Sequence, residues 1–159
     1  MSLIEEEGRQ FFIALNKFNV RFILVGGFAV NFYGHSRNTG DIDIWVEDSI
    51  SNRQNLVLGL KEYGIDGAEA FLTHPLIAGY SEILLGSNTY MDMMSELQFF
   101  KKTDFSDSYE KAETVVLDNQ IILKVLHINR LIEEKKKSSR AKDQDDALEL
   151  EKIAEKRKK

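Results

Sequence analysis

Apolar positions change their spacing several times along this 159-residue chain, and each change predicts an element. Leu3, Phe11, Phe12, Leu15 and Phe18 recur at near-helical intervals. They predict a first helix ending around residue 19 with one face on the core, and Ser2-Leu3-Ile4-Glu5 has capping-box spacing at its start. Residues 21–25 form a short apolar strand cut off by Gly26-Gly27, after which 28–33 has the composition of a brief helix closed by Gly34. The period then becomes two. Asp, Ile, Asp, Ile, Trp and Val follow one another over 41–46, which predicts a strand whose apolar face is Ile42, Ile44 and Val46.

Ser49 or Ser51 caps a predicted helix running to about residue 63, with Leu56, Val57 and Leu60 as its inner stripe. Two strands, 80–85 and 89–94, are expected to form a hairpin across Gly86-Ser87-Asn88. A short helix is expected over 105–112. Strands at 114–117 and 120–123 then flank Asp118-Asn119, a second hairpin signal, and two helices at about 127–137 and 142–157 finish the chain. Together these predict an α+β (α/β-like) domain, a mixed β-sheet flanked by helices.

Composition narrows the class without changing that picture. The length suits one domain, so 1–159 is read as a single unit with C-terminal helices about 127–157. Hydrophobic residues at 43% and charged residues at 30% are ordinary globular usage. No apolar run approaches the roughly 20 residues of a membrane span, and the acidic start MSLIEEEGRQ is unlike a basic export signal. With no cysteine in the chain, thiolate metal sites and disulfides are excluded and a cytoplasmic location is expected. The net charge of −5 is unevenly placed: residues 1–123 carry 9 Lys and Arg against 18 Asp and Glu, and 124–159 carry 12 against 8. The basic part is the tail.

Any metal must therefore be held by carboxylates or histidines. Side chains at i and i+2 of a strand share a face, so Asp41 and Asp43 present two carboxylates side by side. Two anions so placed repel until one takes a proton or a cation sits between them. A divalent ion such as Mg²⁺, which combines one or two carboxylates with substrate phosphates, suits the arrangement. Gly26-Gly27, a strand end feeding a helix, is a candidate phosphate turn, because backbone N–H groups there face an anion and no Cβ blocks its approach. Asp92, amid Tyr, Met and Met in a strand, is a third acid that is costly unless something charged faces it. Taken singly, Asp-x-Asp is more often an exposed polar face, Gly-Gly more often an ordinary turn, and a strand Asp often a sheet edge.

Their order and spacing connect them. The stretch VGGFAVNFYGHSRNTGDIDIWV, residues 25–46, resembles the signature of the nucleotidyltransferase superfamily: an apolar residue, Gly-Gly, a gap of about a dozen residues, then Asp-x-Asp between apolar residues. It is most similar to the minimal-nucleotidyltransferase and abortive-infection toxin-like branch. There a third acid lies on a later strand, as Asp92 does in YMDMMSEL, and the tail carries a pattern matched by Lys135, Arg140, Lys142, Asp143 and Asp146 in KKKSSRAKDQDD. Ser138-Ser139 departs from the small-Gly pair often found before the tail arginine, and residues 66–80 match no part of the pattern.

The resemblance implies a nucleotidyltransferase fold. It also implies transfer of a nucleoside monophosphate from an NTP to a hydroxyl-bearing acceptor (small molecule, protein or RNA), with Mg²⁺ or Mn²⁺ held by Asp41, Asp43 and Asp92. Gly26 and Gly27 would cradle the phosphates, with Arg37, Thr39, Lys135, Arg140 and Lys142 as further nucleotide-binding candidates. The alternative is a non-catalytic or partner-dependent nucleotide-binding module, such as one component of a toxin–antitoxin pair; a drug-modifying transferase rests only on similar size and motifs. Expected partners are an NTP, the acceptor and a partner protein, without a membrane; nucleic acid is suggested only by the basic tail, whose charges are more often a solvated helix face. Trp45, Tyr90 and Met94 share the faces of the acids and could stack a base or simply pack. His35 is the strongest catalytic candidate of three scattered histidines, ahead of His74 and His127.

Overall fold

The structure, a computed structural model, describes residues 6–36, 40–73, 81–86 and 89–158. Among these lie six strands and seven α-helices in the order α1 (Glu6–Lys17), β1 (Phe22–Val25), α2 (Gly26–Phe32), β2 (Ile42–Val46), α3 (Ile50–Tyr63), α4 (Ala70–Thr73), β3 (Ser81–Leu84), β4 (Tyr90–Met94), α5 (Phe105–Lys111), β5 (Glu113–Leu117), β6 (Ile121–Val125), α6 (Ile128–Lys137) and α7 (Ala141–Arg157). The architecture is α+β on one mixed sheet of order β3-β4-β2-β1-β6-β5. β1 runs antiparallel to β2, and both hairpins, β3–β4 and β5–β6, are antiparallel. The two long-range joins, β2 to β4 and β1 to β6, are parallel. No described helix is long and apolar enough to cross a membrane.

Local chemistry sets the boundaries. Ser49 Oγ accepts the Asn52 N–H at 3.2 Å, capping α3, and Gly64 ends it at φ 106°, a left-handed conformation that a Cβ would strain. Asp118 and Asn119 both take positive φ, 51° and 62°, the primed turn whose twist matches a two-residue hairpin. The hairpin expected across Gly86-Ser87-Asn88 is present as the β3–β4 ladder, although Ser87 and Asn88 lie outside the described residues, as does the capping box at residues 2–5. Two boundaries differ from expectation. Gly26 and Gly27 are the first turn of α2 rather than a turn before it, because Val25 already serves as the N-cap residue. Asp41 stands one residue ahead of β2, outside the ladder.

Register divides the sheet into two faces. Phe22, Leu24, Ile42, Ile44, Val46, Met91 and Met93 are cross-strand neighbours on one side, and α1 packs there with Phe12 stacked on Phe22 at 5.5 Å between centroids. Each such fully buried side chain contributes about 1.5–3 kcal/mol. The opposite face carries Val25, Asp43, Trp45, Asp92 and Met94. Its Trp45 end is filled by Phe100 and Phe105, the latter edge-on at 5.3 Å, and the indole Nε1 donates to the Ser95 carbonyl at 2.9 Å. Trp45 is therefore core, fully buried, and stacks on no ligand. The aspartate end of the same face is left open.

Candidate functional site

The parallel join of β2 to β4 pairs Asp43 directly with Asp92, and the hairpin pairs Asp92 with Glu82. Three carboxylates on three neighbouring strands thus form one row. Asp41, exposed just before β2, completes the group: carboxylate oxygens of Asp41, Glu82 and Asp92 lie within 4.8 Å of one another. Glu82 was not foreseen from the sequence. The signal existed, since a hairpin centred on residue 87 places 82 opposite 92.

The electrostatics of this row are those of crowded, partly desolvated anions. Burial, and then the Asp92 charge and a hydrogen bond with its carboxyl, push Asp43 up to about 7; Asp41 adds to the rise and Lys135 opposes it. Asp92 is also raised, first by burial and then by Asp41, while its hydrogen bond with Asp43 acts the other way. A carboxyl–carboxyl hydrogen bond needs a proton, so near neutral pH the pair shares one. Asp92 Oδ1 is buried without a hydrogen-bond partner among the described residues, an unmet acceptor that a donor or a cation would satisfy. The donor set is all oxygen, carries excess negative charge and has this orphaned acceptor, so the residues fit a hard divalent cation such as Mg²⁺ or Mn²⁺.

Gly26 lies directly against that row. It adopts φ +68°, and a Cβ built on it would overlap the Asp43 carboxylate. Glycine is required twice over, by conformation and by space. Beside Gly26 and Asp43 opens a cleft of about 420 Å³, within the range of small-molecule sites. Its far wall is α6 and the turn into α7. Lys137, Ser138, Ser139 and Arg140 stand at one end, Met94, Leu97 and Leu131 at the other.

No protein-family model matches this chain, and no curated protein matches it.

Of the sequence candidates, Gly26, Asp43, Lys135 and Arg140 line the cleft, and Asp92 meets Asp43 at its edge. Gly27 is buried in the first turn of α2. Lys142 is exposed and not among the cleft-lining residues; Arg37, Thr39 and His74 lie outside the described residues. Lys135 is no solvated tail lysine: it is buried, and its Nζ donates to Asp143 Oδ1 and pairs with Asp146 Oδ2, both at 3.0 Å. Arg140 Nε donates to Asp143 Oδ2 at 2.7 Å while the rest of its side chain stays largely exposed. Burial alone would raise Asp143, yet hydrogen bonds from Arg140, Ser138 and Lys135 hold it well below the usual carboxylate range.

Neither described histidine lines the cleft. His35 Nε2 lies 3.6 Å from Asp146 Oδ1 and 3.7 Å from Asp145 Oδ2, linking the segment after α2 to α7. His127 caps α6, its Nδ1 accepting the Asn129 N–H at 3.1 Å. Cleft residues without a sequence signal are Leu97, Gln98, Leu131 and Glu134, which come together only when the 95–100 turn packs on α6.

Proposed function

We propose that this chain has a nucleotidyltransferase fold and transfers a nucleoside monophosphate from an NTP to a hydroxyl-bearing acceptor, with a divalent cation held by Asp41, Asp43 and Asp92. The observation that carries the reading is the meeting of Asp43 and Asp92, carboxyl to carboxyl, at the edge of a cleft whose opposite wall offers cations. Repulsive acids under a cationic wall suit a ligand that brings phosphates and metal together. When bound there, a divalent cation would neutralise triphosphate charge and lower the pKa of the attacking hydroxyl.

The chain's own groups have distinct tasks. Lys137 and Arg140 hold the terminal phosphates, and Gly26, lacking a Cβ, lets the α-phosphate approach Asp43. The acceptor hydroxyl oxygen forms a bond to the α-phosphorus while the bond to the bridging oxygen of the pyrophosphate breaks. The hydroxyl proton passes to the carboxylate of Asp92, which stands beside Asp43 at the edge of the cleft.

Calorimetric titration with each of the four NTPs, with Mg²⁺ and with chelator, on wild type, Asp43→Ala and Asp92→Asn is the test. Metal-dependent NTP binding that requires Asp43 is expected, followed by transfer of an α-labelled nucleotide that requires Asp92. Binding that is indifferent to metal and to Asp43 would overturn the assignment. Metal-dependent binding without transfer would favour the partner-dependent module over the self-sufficient enzyme.

A further inference from the structure

The register of the β3–β4 hairpin sets two acids against each other. Ser81 and Ile83 pair with Met93 and Met91, on the core face, which leaves Glu82 on the other face, directly opposite Asp92. Like charges so placed in a ladder destabilise it. The parallel pairing of β2 with β4 then brings Asp41, just ahead of β2, to the same place, and oxygens of Asp41, Glu82 and Asp92 lie within 4.8 Å of one another. Three separate segments of the chain thus deliver three carboxylates to one spot.

That spot lacks positive charge. Asp43, at the β2 end of the row, has Lys135 to offset it, whereas the charges that act on Asp92 are Asp41 and Glu82, both negative. Lys61 is taken by Glu69 and Lys102 by Asp48, each at 2.8 Å, and among the described residues no lysine, arginine or histidine pairs with any of the three acids. Asp92 Oδ1 is also shielded from water without a hydrogen-bond partner among those residues, so the cluster contains an unmet acceptor as well as unbalanced charge. Oxygens that bind one divalent ion at about 2.0–2.6 Å stand roughly 4–5 Å apart at most. The three acids are close enough to share one ion.

We infer that Glu82 is a further ligand of the divalent cation, joining Asp41 and Asp92 on the β3 side of the row. The inference rests on the cation of the reading above, and adds to it a residue and an order of binding. One or two carboxylates serve a Mg²⁺ that keeps the phosphates of its nucleotide as ligands. A further carboxylate at the same spot supplies charge that the phosphates would otherwise bring. The cation therefore binds before the nucleotide, and Glu82 sets its affinity for the nucleotide-free protein.

The test is titration of the nucleotide-free chain with Mn²⁺, the free ion followed by its paramagnetic resonance, for wild type, Glu82→Gln and Asp92→Asn. Each titration is run at about 0.1 M and about 1 M KCl, where the Debye length is about 10 Å and 3 Å. Glu82 is exposed and glutamine keeps its shape, so thermal unfolding of Glu82→Gln in chelator should be no lower than that of wild type. Wild type is expected to bind Mn²⁺ alone. Glu82→Gln should bind it more weakly by on the order of tenfold or more at both salt concentrations, since losing even a residue that merely orients a ligand costs about 10–100-fold. A deficit that disappears at high salt would reduce Glu82 to a screened field, and the inference falls. It falls also if Asp92→Asn weakens Mn²⁺ binding and Glu82→Gln does not, while the cation reading stands. If Mn²⁺ binds only together with an NTP, the inference falls and the transfer reading stands; if neither Mn²⁺ nor metal-dependent NTP binding is seen, both fall.

Discussion

Replacing Asp43 by Asn should stabilise the metal-free protein, and by an amount that grows with pH. The carboxyl is pushed from the ordinary 3.8 to about 7 by burial and by the Asp92 and Asp41 charges. The folded state therefore binds a proton that the unfolded chain releases between those pH values, and stability must fall as pH rises from about 4 to about 7. Roughly three pH units at 1.36 kcal/mol each set a ceiling of about 4 kcal/mol. Asp92 shares the proton, and part of the site is open to water, so about 2–3 kcal/mol is the expected loss. Asn keeps the shape and still donates to Asp92, but never ionises. Urea unfolding from pH 5 to 8.5 with chelator should show wild type weakening and Asp43→Asn nearly flat, the variant being the more stable by about 2–3 kcal/mol at pH 8. Added Mg²⁺ should raise the stability of wild type and leave the variant largely unmoved, because the bound ion takes the place of the shared proton. Parallel pH profiles for the two proteins, or a variant less stable at pH 8, would refute the account of a strained acid pair.

Three further expectations follow from the same contacts. Gly26→Ala must abandon a φ of +68° and displace the Asp43 carboxylate, which should cost about 2 kcal/mol or more and abolish metal-dependent nucleotide binding; calorimetry and urea unfolding together check both. Lys135→Met removes the buried cation that Asp143 and Asp146 share, and should destabilise by about 3 kcal/mol at neutral pH, with recovery on acidification as those acids take protons. Asn52→Ala removes a buried amide that accepts the Arg21 N–H at 2.7 Å and donates to the Arg21 and Glu47 carbonyls at 3.0 and 2.8 Å. A loss of about 2–3 kcal/mol in equilibrium unfolding is expected there, with nucleotide binding intact.

What the sequence determined by itself was local. Alternation over 41–46 specified a strand and put Ile42, Ile44 and Val46 on the core face, since a side-chain period of two leaves no other choice. The Asp118-Asn119 turn and the Ser49 cap were legible because short polar residues there bond their own backbone or tolerate positive φ. Gly26 and the Asp-x-Asp run were legible as candidates that the fold brings close together, though Asp41 proved to lie ahead of the strand.

The tertiary structure decided how distant segments meet. Nothing in the local pattern makes β4 a parallel neighbour of β2, yet that pairing sets Asp92 against Asp43, raises both acids and draws Glu82 into the row. The tail shows the same division. Its lysines read alike along the chain, and only the packing of α6 on α7 buries Lys135 against Asp143 and Asp146 while leaving Lys137 at the cleft. Periodicity reports which face of an element is apolar; the partner of that face, and hence the field around each charge, depends on non-local burial that no window of sequence contains.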